Sequence, residues 1–99
     1  MQLNVGGYKI MEAVITVVGK DAVGILAKVC TACADEDVNV EEVTQRILRG
    51  TFAMIMIVDV TKCKSEITAF AKRLDELGKT MGVEIRCTRQ ELYDTMHRV

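Results

Sequence analysis

The chain has 99 residues, which is enough for one hydrophobic core but too few for two independent domains. Apolar residues make up 49% of it, so the sequence predicts a folded domain and not a disordered chain. A formal net charge of −1 and an aromatic content of 4% argue against a nucleic-acid partner, which would require a basic surface or base-stacking side chains.

The N-terminal residues show no targeting or membrane-spanning pattern. No apolar run approaches the roughly 20 residues that a bilayer-spanning helix needs. Residues 1–11 lack the basic start and long apolar middle of a secretory signal, and Gly6 and Gly7 indicate a flexible lead-in to a domain at 12–99. We therefore expect a cytoplasmic protein with no membrane partner, in which the four cysteines stay reduced.

The stretch from Gly19 to Leu26 joins the first predicted strand to the first predicted helix. Residues 12–18 are an apolar run typical of a buried strand, and residues 22–36 carry apolar side chains at helical spacing. Asp21 is the predicted N-cap of this helix, because its carboxylate can accept hydrogen bonds from the unpaired amides. Those amides could instead hold a ligand carboxylate, so this stretch is either a capped turn or a ligand-binding loop.

The second and third strands are predicted to form an antiparallel hairpin. Residues 38–40 open the second strand, and its alternation changes phase near Glu41, as a one-residue bulge would cause. Arg49 and Gly50 predict the turn, and a third strand follows at 51–61. This third strand, like the first, is apolar on both faces.

A second helix and a fourth strand complete the pattern. Ser65 is the predicted N-cap of this helix, and Gly78 and Gly82 both offer places for it to end. Residues 83–89 alternate as a strand that is half buried, and a short helical tail follows. The predicted core face of the second helix consists of Ile67, Phe70, Leu74 and Leu77.

This order of elements predicts an α+β fold of the ferredoxin-like βαββαβ type. It has an antiparallel sheet with two helices on one face, plus a short C-terminal helix. Right-handed crossovers place the first and third strands in the centre, in agreement with their apolar character on both faces. The face without helices then also carries apolar residues, which a second subunit or the C-terminal helix would cover. We prefer a homodimer, formed either edge to edge or face to face.

Two short motifs stand in the first turn and at the start of the second strand. They consist of Gly19, Asp21, Gly24, Ile25 and Leu26, and of Val38, Asn39 and Val40. With these motifs the chain resembles the ACT domain family over residues 12–89, and it is most similar to the stand-alone, single-domain ACT proteins of bacteria and archaea. The resemblance implies a non-catalytic regulatory module that binds a small metabolite, with an amino acid as the favoured class, at an interface between two copies.

By the same resemblance, ligand contacts are expected from the first turn and from the start of the second strand. Amides near Gly24 and Ile25 suit a carboxylate, Asp21 suits an ammonium group, and Asn39 can both donate and accept. Val23 stands where many family members have proline. No enzymatic domain is expected on this chain, so its output would pass to a separate partner protein. The expected ligand-binding residues are Asp21, Val23, Gly24, Ile25, Leu26 and Asn39.

Two other functions stay open at this stage. The same domain could be a dimerisation or adaptor module that binds no ligand. Cys30 and Cys33 form a CxxC motif, which permits a thiol-based metal or redox protein. The motif lies within a helix on its apolar face, whereas redox motifs lie at a helix start, so buried structural cysteines are the preferred interpretation. No nucleophile or carboxylate pair is placed for catalysis, so we expect no enzyme activity, cofactor or metal.

Overall fold

The computed structural model describes residues 10–20 and 23–90, apart from the side chain of Leu48. The four strands form one antiparallel sheet in the order β2-β3-β1-β4. The predicted ferredoxin-like fold is confirmed, whereas Asp21, the tail at 91–99 and residues 1–9 lie outside the described residues. The elements are β1 (Glu12–Lys20), α1 (Ile25–Asp35), β2 (Asn39–Leu48), β3 (Thr51–Asp59), α2 (Ile67–Met81) and β4 (Val83–Arg89).

The core lies between the sheet and the two helices. Central strands β1 and β3 present alternate residues to this layer, as the strand order requires. Full burial of one large apolar side chain such as Phe70 stabilises the fold by about 1.5–3 kcal/mol. Among the described residues, no helix has both the length and the apolar character to cross a bilayer. The core residues of the central strands are Ala13, Ile15, Val17, Phe52, Met54, Met56 and Val58.

Helix α1 begins three residues later than predicted. Its N-cap position is Gly24, with a φ of 83° in the left-handed region that favours glycine, and this residue has no side chain that could cap the helix. The prediction that Asp21 is the N-cap is therefore wrong, because the chain makes its turn at Gly24 before the first helical residue, Ile25.

Helix α2 also begins later than predicted, at Ile67 with Glu66 in the N-cap position. Ser65 is not the N-cap, because its hydroxyl donates a hydrogen bond of 2.7 Å to Oε1 of Glu36. Its backbone N–H donates to the same oxygen at 3.1 Å. Ser65 therefore joins two connections of the fold and does not cap the helix that follows it.

The hairpin and its bulge are confirmed. Val40 pairs with Val58 and Glu42 pairs with Ile57, so Glu41 is the extra residue. The turn residues Arg49 and Gly50 have φ values of 53° and 79°. Positive φ at both positions is what a two-residue type I′ turn requires between antiparallel strands.

Only one of the two glycines proposed to end α2 does so. Gly82, with a φ of 74°, follows the last helical residue. Gly78 lies inside the helix, where a Cβ would be 2.7 Å from the carbonyl oxygen of Val83. The prediction that Gly78 ends the helix is therefore wrong, because glycine at this position allows α2 to pack directly against the backbone of β4.

Candidate functional site

The turn between β1 and α1 is open to solvent. Val23 is 100% exposed, and apart from the immediate chain neighbours no described residue has an atom within 4 Å of the place where a Cβ on Gly24 would be. Ile25 is buried in the core and Leu26 packs against it, so these two residues can offer a ligand their backbone amides. Gly24 has no side chain to cap α1, so within the described part of the chain the first N–H groups of the helix have no side-chain acceptor and lie at the positive end of the helix dipole.

Asn39 lies at the opposite end of the sheet from this turn. It pairs with Asp59, which in turn pairs with Glu12 at the start of β1. The turn follows the other end of β1, where Gly19 pairs with Phe52. The Glu12 row and the Gly19 row are seven residue steps apart along β1, which corresponds to about 23 Å at the usual rise of a strand. One chain therefore brings Val23, Gly24, Ile25 and Leu26 together but does not bring Asn39 to them.

The surroundings of Asn39 are acidic. Glu41, the bulge residue, shares a hydrogen bond with the side chain of Glu12, and this bond is the main reason that its pKa rises to about 7. Partial burial of the carboxyl and the negative charges of Glu12 and Asp59 raise the pKa of Glu41 further. Carboxylates from three strands, those of Glu12, Glu41 and Asp59, therefore lie close together at the same end of the sheet as Asn39.

A polar network that the sequence did not reveal supports the connection leading to Asn39. Oε1 of Glu36 accepts both hydrogen bonds from Ser65, and Arg73 on α2 donates to Oε2 of Glu36 at 3.5 Å and to Oδ2 of Asp35 at 2.8 Å. The hydrogen bond from the Ser65 hydroxyl, with help from Arg73, holds the pKa of Glu36 below its ordinary value. The only hint in the sequence was the electrostatically unfavourable position of acidic residues at a helix C-terminus.

The cysteines have the properties of structural residues. Burial is the main cause that raises the pKa of the Cys33 thiol to about 12 and that of Cys87 to about 11. Both thiols are therefore protonated near neutral pH, and the thiolate is the reactive form. In the described part of the chain, no three His, Cys, Asp or Glu residues are arranged to hold a metal ion. These observations disfavour the redox and metal interpretations of Cys30 and Cys33.

Two surface depressions lie away from the expected ligand-binding residues. One, of about 390 Å³, is next to the start of α2 and includes Met11, Val60 and Ile67. The other, of about 360 Å³, lies between α2 and β4 beside Ile85 and Cys87. Neither depression includes Gly24 or Asn39, so neither one is the predicted site.

The outer strand β2 carries negative charge at one end and positive charge at the other. Glu41 and Glu42 lie near its start, and Arg46 lies near its end. The apolar side chains of Val43 and Ile47 are exposed, although they point to the same face as the core residues with which they pair. Among the described strands β2 is an outer one, so no described strand pairs with its outward backbone groups.

Comparisons with known proteins agree on one family. A model of the ACT domain matches residues 12–88. A UPF0237 protein of Bifidobacterium longum is 46% identical over 88 residues, which cover 89% of this chain and 98% of that protein. The solved structure of an ACT domain protein from Streptococcus pneumoniae has 30% identity and a TM-score of 0.75, and covers 87% of this chain and 97% of that one.

A more distant solved structure shares the fold alone. It is the regulatory subunit of aspartate kinase from Thermus thermophilus, with 23% identity and a TM-score of 0.59. The match covers 80% of this chain and 51% of that one.

Proposed function

Since the chain belongs to the ACT domain family, we propose that it is a non-catalytic regulatory module that binds a small metabolite and signals to a separate protein. An amino acid is the favoured class of ligand. Members of this family generally bind small molecules, and the same fold occurs in the regulatory subunit of aspartate kinase. The uncapped, exposed start of α1 supports a ligand that carries a carboxylate.

The observation that carries the proposal is the separation of Asn39 from the turn that contains Gly24. These two groups stand at opposite ends of the sheet, beyond or at rows that are about 23 Å apart, and no amino acid reaches both in one chain. A site that uses both of them must therefore combine the turn of one copy with Asn39 of a second copy.

Antiparallel pairing of β2 with the β2 of a second copy creates this combination. In such a pair the start of one strand lies beside the end of the other, so Asn39 moves to the end of the sheet that carries the second copy's turn. The same two-fold arrangement brings Glu41 and Glu42 of each copy towards Arg46 of the other, and it covers Val43 and Ile47. Charge and apolar surface both favour this edge-to-edge dimer.

The ligand chemistry follows from the groups that meet there. Backbone amides at Gly24 and Ile25 would hold the carboxylate, Asp21 would pair with the ammonium group, and Asn39 of the second copy would donate and accept hydrogen bonds. A ligand held by both copies favours the arrangement in which both groups are in place. Binding thereby shifts the population of dimer arrangements, which a partner protein can detect.

A thermal-shift screen of the purified chain against the twenty common amino acids tests for the ligand. At a hundredfold excess over its dissociation constant, one bound ligand adds about 2.7 kcal/mol of stability. Asp21→Ala and Asn39→Ala should each abolish the shift, whereas Lys72→Ala, on the exposed face of α2, should keep it. A dimer that responds to no ligand would contradict the proposal and favour an adaptor that binds none.

Mixing the two variants tests whether the site is shared between copies. Asp21→Ala and Asn39→Ala chains, unfolded and refolded together, form mixed dimers in which one of the two sites keeps an intact turn and an intact Asn39. Such dimers should recover up to half of the binding capacity, measured by calorimetry, although each variant alone binds nothing. If the mixed dimers bind no ligand while the parent does, the shared site is refuted.

A further inference from the structure

Strand β2 is the most exposed of the four described strands. It runs for ten residues, Asn39–Leu48, and its side chains are exposed at every position from 41 to 47. Neither Glu42 nor Arg46 forms an ion pair with any described residue. A long outer strand with unpaired backbone groups favours the addition of another strand, and its unpaired charges decide which strand fits.

The bulge at Glu41 determines which side chains of β2 share a face of the sheet. Glu42, Thr44 and Arg46 pair with residues of β3 that do not belong to the core, so they lie on the face away from the helices. Thr44 is midway between Glu42 and Arg46. This face of β2 therefore carries opposite charges at equal distances on either side of one central residue.

Only one antiparallel pairing of β2 with a second copy turns this pattern into ion pairs. Side chains that lie opposite each other across two paired strands point to the same face, so the residue on the two-fold axis pairs with its own copy. An axis at Thr44 sets Glu42 of each copy directly opposite Arg46 of the other. An axis at Glu42 or at Arg46 would oppose like charges, which is destabilising. An axis at Val43 or at Gln45 would place neither charge opposite the other.

The side chains on the helix face of β2 agree with an axis at Thr44. On this face Val43 then lies opposite Gln45 of the second copy. Because Glu41 is an extra residue, Val40 comes opposite Ile47 of the second copy. Ile47 is 60% exposed, so this contact removes apolar surface from water twice in each dimer.

We propose that two copies pair their β2 strands about a two-fold axis at Thr44, and that Glu42 and Arg46 select this register by forming reciprocal ion pairs. This inference rests on the proposed function, in which two copies share the ligand-binding site. It adds the register of the pair and the residues by which one copy recognises the other.

The register matters because it fixes the place of Asn39 at the shared site. Asn39 comes opposite the last residue of the second copy's β2, beside the hairpin turn at Arg49 and Gly50. Moving the axis by one residue would move Asn39 by two residues along that strand, about 7 Å, which exceeds the reach of a hydrogen bond. Glu42 and Arg46 are therefore positioning residues for the site, although neither one contacts the ligand.

Charge reversal tests the register in the absence of any ligand. Glu42→Arg places two arginines opposite each other, and Arg46→Glu places two glutamates opposite each other, twice in each dimer. Analytical ultracentrifugation should show dimerisation of each variant weakened about tenfold or more. An equimolar mixture of the two variants should regain the affinity of the parent, because both positions then oppose Arg and Glu. The double variant E42R/R46E should regain it as well.

Arg86→Glu is the matched control for these reversals, because Arg86 is exposed on the other outer strand, β4. It should leave dimerisation unchanged. Circular dichroism verifies that each variant is folded. Single reversals that dimerise like the parent, or a mixture and a double variant that both fail to recover, would overturn the proposal.

An isotope-mixed sample measures the register directly. In dimers of labelled and unlabelled chains, nuclear Overhauser contacts are expected between the methyl groups of Ile47 in one chain and Val40 in the other. Contacts between Val43 and Ile47 of different chains, with none to Val40, would place the axis at Gln45 and contradict the proposal. The absence of any contact between the β2 strands of two chains would contradict it equally.

The thermal-shift screen against the twenty common amino acids separates this proposal from the proposed function. If an amino acid stabilises the parent, Glu42→Arg alone and Arg46→Glu alone should lose that response, and their mixture should regain it. Single variants that keep the full response and still dimerise would overturn the register and leave the proposed function intact. If no amino acid stabilises a parent whose charge reversals behave as expected, the register is supported and the ligand of the proposed function is refuted.

Discussion

Replacement of Gly78 by alanine tests the contact on which the packing of α2 against β4 depends. A Cβ at this position would lie 2.7 Å from the carbonyl oxygen of Val83 and 3.0 Å from Cγ1 of Ile85. It would also lie 3.2 Å from the backbone N of Ile85. Two of these three atoms belong to the backbone, so no side-chain rotation makes room and the helix must move away from the strand.

The expected cost combines two opposing contributions. Forcing a methyl group into a tightly packed contact costs about 1–3 kcal/mol, and obstruction by backbone atoms places Gly78→Ala at about 2–3 kcal/mol of that range. Alanine recovers about 1 kcal/mol, because glycine is a poor helix former in a helix interior. We therefore expect Gly78→Ala to lower the free energy of unfolding by about 1–2 kcal/mol, which for a domain of this size lowers the melting temperature by about 4–16 °C.

Urea and thermal denaturation followed by circular dichroism measure this effect. Thr80→Ala, at an exposed position two residues further along the same helix, serves as the control and should change stability by less than about 0.5 kcal/mol. Val83→Ala should not rescue Gly78→Ala, because the obstructing atom is a backbone oxygen. A Gly78→Ala chain that is as stable as the parent would refute the close approach of α2 to β4.

Two further predictions concern carboxylates with altered pKa values. Because the pKa of Glu41 is raised to about 7, its contribution to stability is complete below pH 4.5 and is lost as the pH rises through 7. Chemical denaturation at a series of pH values measures this loss of stability, which solvent screening limits to about 1 kcal/mol. Glu41→Gln should remove the pH-dependent loss, whereas the neighbouring Glu42→Gln should still show it. Ser65→Ala should raise the pKa of Glu36, measured by carboxyl NMR titration, and should destabilise the chain at neutral pH. This deficit should disappear in acid, once Glu36 is protonated in both chains, and a deficit that persists there would contradict the assigned hydrogen bond.

The element order and the central position of β1 and β3 could be predicted because they depend on local pattern. Both strands are apolar on both faces, and the phase change near Glu41 marked the bulge. Helix starts were predicted less well. Asp21 and Ser65 are good N-cap residue types, but the turn at Gly24 and the hydrogen bonds from Ser65 to Glu36 decided where the helices begin.

The candidate site, like the fold, was predictable in part from the sequence. Its residue types were recognisable in the sequence, since an uncapped turn near Gly24 and an amide at Asn39 are local features. The predicted topology already places the turn and Asn39 at opposite ends of the sheet, since a helix joins two strands of the same direction, but the length of their separation depends on strand register, which only the structure gives. The proposal of a site shared between two copies rests on that register.

The sequence by itself determined the fold class, because periodicity of apolar residues specifies strands and helices and their order restricts the topology. It also determined the hairpin turn at Arg49 and Gly50. Only the tertiary structure decided that Gly78 serves close packing and that Glu36 is tied to Ser65. These properties arise from contacts between different elements of the fold, and no local pattern of side chains encodes the distances between those elements.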